Sequence, residues 1–100
     1  MKNPDYYKRC SVIVKALAHP DRLLILDALS RKELCVCDLI KLVKTDQSTV
    51  SKHLLLLKNA GLVDCRKKGL YVIYRLKAPC VTQFFGCIER AFEQGKGSVS

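Results

Sequence analysis

Three polar residues, Lys44-Thr45-Asp46, separate two stretches in which apolar residues keep helical spacing. Before them stand Val36, Leu39, Ile40 and Val43; after them stand Val50, Leu54 and Leu57. Two helices joined by so short a turn form a helix-turn-helix. Asp46 is a suitable N-cap for the second helix, predicted over 47–59, because its carboxylate can accept free amides of the first turn. Gly61 is a suitable stop for it.

The flanking segments complete one domain. Residues 6–18 carry Cys10, Ile13, Val14 and Leu17 at helical spacing. His19-Pro20-Asp21 restarts the chain, with Pro20 suited to a first helical position and Asp21 to the positive helix end. Leu23, Leu24, Leu26 and Leu29 continue that second helix to Ser30. Leu34 and Val36 alternate as an extended lead-in to the third, which spans 33–43. Residues 62–76 read as a β-hairpin with a basic tip, Arg66-Lys67-Lys68-Gly69, followed by Tyr71-Val72-Ile73-Tyr74. Pro79 opens a last helix to Glu93, with an apolar seam of Val81, Phe85, Ile88 and Phe92. The expected architecture is mainly α with a β-hairpin wing, a winged helix-turn-helix over 1–94. A disordered tail is expected over 95–100.

In such a unit the second helix of the turn enters the major groove of DNA. Here its outer positions are Gln47, Ser48, Thr49, Ser51, Lys52 and His53, all hydrogen-bonding residues suited to base edges and phosphates. Charge is placed accordingly. The chain carries 18 Lys and Arg against 9 Asp and Glu, and 47–77 alone holds a net +6 of the total +9. Arg66, Lys67 and Lys68 in the wing are the candidate phosphate contacts. A membrane surface is the other polyanion, but this segment lacks a basic amphipathic helix with bulky exposed apolar residues. The N-terminus has no apolar signal core, and no apolar run reaches the length of a span. A cytoplasmic location is expected, where six cysteines are thiols rather than disulfides.

Cys35 and Cys37 are the sharpest chemical feature. Thiolates select soft or borderline ions. In a helix, residues two apart point about 200° from each other; in an extended segment they share a face. One ion can engage both sulfurs only if the start of this helix is extended or distorted. The same helix supports the reading helix across the short turn, so binding there can move the reading head. Cys-x-Cys is not the Cys-x-x-Cys of redox catalysts, no βαβ pattern accompanies it, and an enzyme is not expected.

Three segments together resemble the arsenic-repressor (ArsR/SmtB) family of bacterial metal-sensing regulators. They are Ala16-Leu17-Ala18-His19-Pro20-Asp21-Arg22-Leu23, Gln47-Ser48-Thr49-Val50-Ser51-Lys52-His53-Leu54 through Gly61-Leu62-Val63, and Gly69 to Leu76. Glu33-Leu34-Cys35-Val36-Cys37-Asp38-Leu39 resembles the inducer signature of its arsenite-, antimonite-, cadmium- and lead-responsive branch. The resemblance implies a homodimer through the first and last helices. It implies repression at double-stranded operator DNA, released when the ion binds, with no organic cofactor. Where many members carry a third cysteine, this chain has Ile40. Cys10, from the same chain or its partner, or a small cellular thiol, is a candidate for the missing donor. Some members instead sense persulfides or oxidants by linking cysteines of the first and last helices, for which Cys10 with Cys80 or Cys87 is the alternative here. The family's other metal site, on the last helix, needs histidines that 79–92 lacks. His19 is expected to start a helix and His53 to contact DNA.

Overall fold

Helix α1 (Pro4–Leu17) begins where Asn3 Oδ1 accepts the Tyr6 amide at 3.0 Å. The structure is a computed structural model that describes residues 1–98. Helix α2 (Pro20–Leu29) has Pro20 at its first position and His19 as N-cap, whose Nδ1 accepts the Asp21 amide at 3.0 Å. A two-residue strand β1 (Leu34–Cys35) leads directly into α3 (Val36–Val43). The three-residue turn follows, then α4 (Gln47–Asn59). Asp46 caps α4 as its sequence position implies, accepting the Thr49 amide at 3.2 Å and the Thr49 hydroxyl at 2.6 Å. Those bonds hold its carboxyl below the usual carboxylate range, the Thr49 hydroxyl contributing most.

The two helix ends in this region are closed by left-handed residues. Lys44, at φ 61°, returns its amide to Ile40 O at 3.0 Å and ends α3. Gly61, at φ 80°, does the same after α4, where its amide reaches Lys58 O and that of Leu62 reaches Leu57 O, both at 3.0 Å. Strands β2 (Val63–Lys68) and β3 (Tyr71–Leu76) then form the hairpin, with Lys68 opposite Tyr71 across a two-residue turn.

The core lies where α2, α3, α4 and β2 meet. Ile25, Leu26, Leu39, Val50, Leu54, Leu57 and Val63 are fully buried. Burying side chains of this size stabilises by about 1.5–3 kcal/mol each. The expected stripe of α4 is thus the inner wall of the domain.

Three expectations change. The lead-in at 34–35 is a paired strand: Leu34 faces Tyr74 and Cys35 faces Ile73, so the sheet order is β1-β3-β2. The last helix is preceded by a 3₁₀ turn (Pro79–Thr82), because Ala78 offers no side chain to cap an α-helix starting at Pro79. Helix α5 proper is Gln83–Ser98. It runs past the boundary expected at 94, since adding residues to an existing helix is far easier than nucleating one. Positions 99–100 lie outside the described residues. Among the described residues no helix is long and apolar enough to cross a membrane.

Candidate nucleic-acid interface and thiol site

Helix α4 presents Gln47, Ser48, Ser51 and Lys52 on its exposed side. Thr49 is half-buried and its hydroxyl is given to the Asp46 cap, so it serves the helix start. His53 does not belong to this face. It is 7 % exposed, which corrects the expectation that it contacts DNA. The reason is helical geometry: 50, 53, 54 and 57 form the i, i+3, i+4, i+7 stripe that points inward. That signal was present in the sequence, and the polarity of histidine masked it.

His53 is held by α2. Arg22 Nη1 lies 3.2 Å from its Nδ1, Asp21 Oδ2 lies 3.7 Å from its Nε2, and the His19 ring sits 4.4 Å away. A guanidinium only donates, so Nδ1 is the acceptor and Nε2 carries the proton toward Asp21. Ligand atoms of His19, Asp21 and His53 lie within 4.8 Å of one another, but a protonated Nε2 offers no lone pair to a metal. Burial lowers the His53 pKa, helped by His19 and Arg22 and opposed by Asp21. Arg22 also donates to Ala16 O at 2.7 Å and Lys15 O at 3.2 Å, tying the end of α1 to α4 through one side chain. His19 starts a helix, as expected.

The wing's charges divide into two groups. Arg66 pairs with Glu33 at 2.6 Å, and Arg75 with Asp64 at 3.2 Å. The Arg75 hydrogen bond, followed by the Cys65 amide, holds the Asp64 carboxyl below its ordinary range. Lys67 and Lys68 are exposed, and among the described residues they and Lys52 enter no ion pair. These three ammonium groups are available to phosphate; Arg66 must first leave Glu33.

Cys35 and Cys37 converge. Cys35 is the N-cap of α3, in extended backbone at φ −79° and ψ 163°, and its Sγ accepts the Asp38 amide at 3.4 Å. Cys37 stands in the first helical turn. Because only one of the two is helical, their side chains meet rather than diverge. The Cα atoms are 5.4 Å apart and the sulfurs are joined as a disulfide, correcting the expectation of thiols at this pair. The extended cap brings the sulfurs together, and that convergence suits either a bond between them or, once reduced, a shared ion. The Asp38 carboxylate is within 4.8 Å of both sulfurs. Cys10 is not part of this group and lies exposed on α1. Cys80 and Cys87 line one small cavity with Gln83 and Phe84, without Cys10. Cys65 is half-buried in the wing, 3.5 Å from Lys58 Nζ.

The placement of the pair matters as much as its geometry. Cys35 is laddered to β3 of the wing, and Glu33 is ion-paired to β2. Cys37 lies on α3, one turn of chain from α4. A cavity of about 480 Å³ opens beside the sulfurs, lined by Cys35, Cys37, Ile40, Gln47, Ser51 and Tyr71 among others. The cysteine pair, α4 and the wing thus share one notch. Sequence reasoning found the link to α4 but missed the link to the wing.

The described geometry has known counterparts. The model of the "Bacterial regulatory protein, arsR family" matches residues 19–64. The chain is 46 % identical over 70 residues to an arsenical resistance operon repressor of Staphylococcus xylosus, covering 70 % of this chain and 67 % of that one. It is 41 % identical over 81 residues to a cadmium resistance regulatory protein CadC homologue of Staphylococcus aureus, covering 80 % and 64 %. A homodimeric winged helix-turn-helix DNA-binding domain from Mycobacterium bovis, a possible ArsR-family regulator, superposes with TM-score 0.77 at 29 % identity, over 90 % of this chain and 83 % of that one.

Proposed function

Because this chain belongs to the ArsR family of winged helix-turn-helix transcriptional repressors, DNA-binding regulators rather than enzymes, we propose that it acts as a homodimer and leaves its operator when a soft metal or metalloid ion binds Cys35 and Cys37. The carrying observation is the convergence of the two sulfurs on a segment joined to both DNA-facing elements. Helix α4 enters the major groove with Gln47, Ser48, Ser51 and Lys52, while Lys67 and Lys68 neutralise phosphates. The trigger works in the reduced state, in which the Cys35–Cys37 bond is opened and both sulfurs are free to bind. An ion gathered there pulls on β1 and the first turn of α3 together, favouring an arrangement of wing and reading helix that DNA does not accept.

The donor set fits a soft ion in part. Two sulfurs and a nearby carboxylate suit arsenite, antimonite, cadmium or lead better than a hard cation. Relatives named for arsenical and cadmium resistance support that class of inducer. The position that carries a third sulfur in many members is Ile40, half-buried and packed on the core. Homodimerisation is supported by the apolar side chains open on α1 and α5, and by the homodimeric structural neighbour.

The test is DNA release by the reduced protein. Cys35→Ser with Cys37→Ser is expected to bind its own upstream DNA normally yet keep it at arsenite concentrations that free the parent chain. Gel-shift titration reads both. Release of the double variant by arsenite moves the sensor elsewhere.

A further inference from the structure

We propose that Glu33 is a built-in competitor for DNA phosphate: its carboxylate holds Arg66 of the wing against the rest of the domain, and the duplex must displace it to gain that contact. This competition rests on the wing's reading as a phosphate-binding element and is independent of the trigger at the cysteines.

The hairpin carries two arginines beyond its start, and each meets a carboxylate in a different way. Arg75 lies directly opposite Asp64 across the β2–β3 ladder and donates to it at 3.2 Å. Both partners belong to the hairpin, so this pair travels with the wing. Arg66 Nη1 instead reaches Glu33 Oε1 at 2.6 Å. Glu33 stands just ahead of β1, outside the hairpin. That pair ties the wing to the segment that leads into α3.

The sheet register explains how residues so far apart in sequence meet. Strand β3 lies between β1 and β2. Cys35 of β1 and Arg66 of β2 both stand opposite Ile73 of β3, so the three form one row. Residues directly opposite one another project from the same face. The long arginine side chain crosses the middle strand on that face and ends on the carboxylate two positions before Cys35.

A guanidinium fits carboxylate and phosphate alike, so the two acceptors compete for one group. Exposure makes the competition reversible. Both side chains are about half-exposed, and an ion pair so placed is weak enough to exchange. A buried pair would withhold the arginine altogether, and a free arginine would bind without cost. Lys52, Lys67 and Lys68 enter no ion pair among the described residues and need no such exchange. Glu33 therefore sets how much of the wing's charge the duplex receives.

The experiment measures affinity of the reduced full chain for its own upstream DNA at several salt concentrations. The proteins are the parent, Glu33→Gln, Arg66→Gln and the double variant. Glu33→Gln should tighten binding about two- to fivefold for each wing engaged at low salt, and less as salt rises. Arg66→Gln, added to Glu33→Gln, should weaken binding and lower the salt slope by about one contact per wing. Most of the gain from Glu33→Gln should vanish in the Arg66→Gln background. An equal gain in both backgrounds assigns the effect to plain repulsion between carboxylate and DNA and overturns the competitor. No gain, or weaker binding, from Glu33→Gln also overturns it. If Arg66→Gln changes neither affinity nor slope, Arg66 does not reach the duplex and the proposal falls. Lys67→Gln with Lys68→Gln then separates the two readings. Weaker binding keeps the wing as a phosphate contact and removes the competitor alone; unchanged binding removes both.

Discussion

From Pro20 to Leu76 the chain buries the apolar stripe of each helix, leaving outliers such as Leu55, Leu56 and Leu70 exposed, whereas α1 and α5 leave most of their large apolar side chains open. Ile25, Leu39, Val50 and Leu57 in the middle are 0 % exposed; Val12 is 58 %, Phe84 is 52 % and Phe92 is 68 %. Both regions carry apolar residues at regular helical spacing. What differs is the number of neighbours available. The middle helices pack on one another and on the sheet, while each terminal helix has one side turned away from the domain. An apolar cavity of about 240 Å³ lies where they meet, among Val14, Leu17, Leu26, Val81, Phe85 and Ile88. The central unit is a complete fold; the ends are half of one, finished in our reading by a second copy.

That contrast can be broken by mutation. Leu54→Ala removes a fully buried side chain and should cost about 2–5 kcal/mol of stability, the same at every protein concentration. Denaturant unfolding at two concentrations checks this; a concentration-dependent loss would place Leu54 in the assembly. Ile88→Asp, on α5, should do the reverse. It should leave the central unit folded and weaken the dimer by about 3 kcal/mol, since the contact is made twice. Sedimentation equilibrium measures the shift, and an unchanged dimer means the seam is not the interface.

A smaller effect tests the one side-chain cluster that spans both regions. Arg22 joins the Lys15 and Ala16 carbonyls of α1 to His53 of α4. The folded pKa of His53 is lowered, chiefly by burial. Its stabilising contribution is therefore complete above the ordinary value of 6.5 and is lost as pH falls through the lower folded value. Melting temperature should drop over that acid interval, and His53→Gln should flatten the drop. A parallel fall in both proteins assigns it to other groups.

Much of this was legible without coordinates. Asp46, His19 and Gly61 act on amides and carbonyls two or three residues away, so their roles follow from local sequence. The stripe on α4 was legible at Val50, Leu54 and Leu57 but not at His53. Its polarity argued for the surface, whereas its position in the stripe placed it against Arg22. The thiol site was legible in part. The alternation at Leu34 and Val36 pointed to extended backbone, and extended backbone at Cys35 is what lets the sulfurs meet.

The chain's own order of residues decided the elements, their caps, the buried stripe and the basic wing, because each depends on neighbours within a few positions. The tertiary structure alone decided that β1 pairs with β3, that Glu33 answers Arg66, and that Arg22 is the partner His53 meets. Those partners stand 31 to 40 positions apart in pairs such as Arg22–His53 and Leu34–Tyr74. No periodicity reaches across such distances; only packing the helices around one core brings them together.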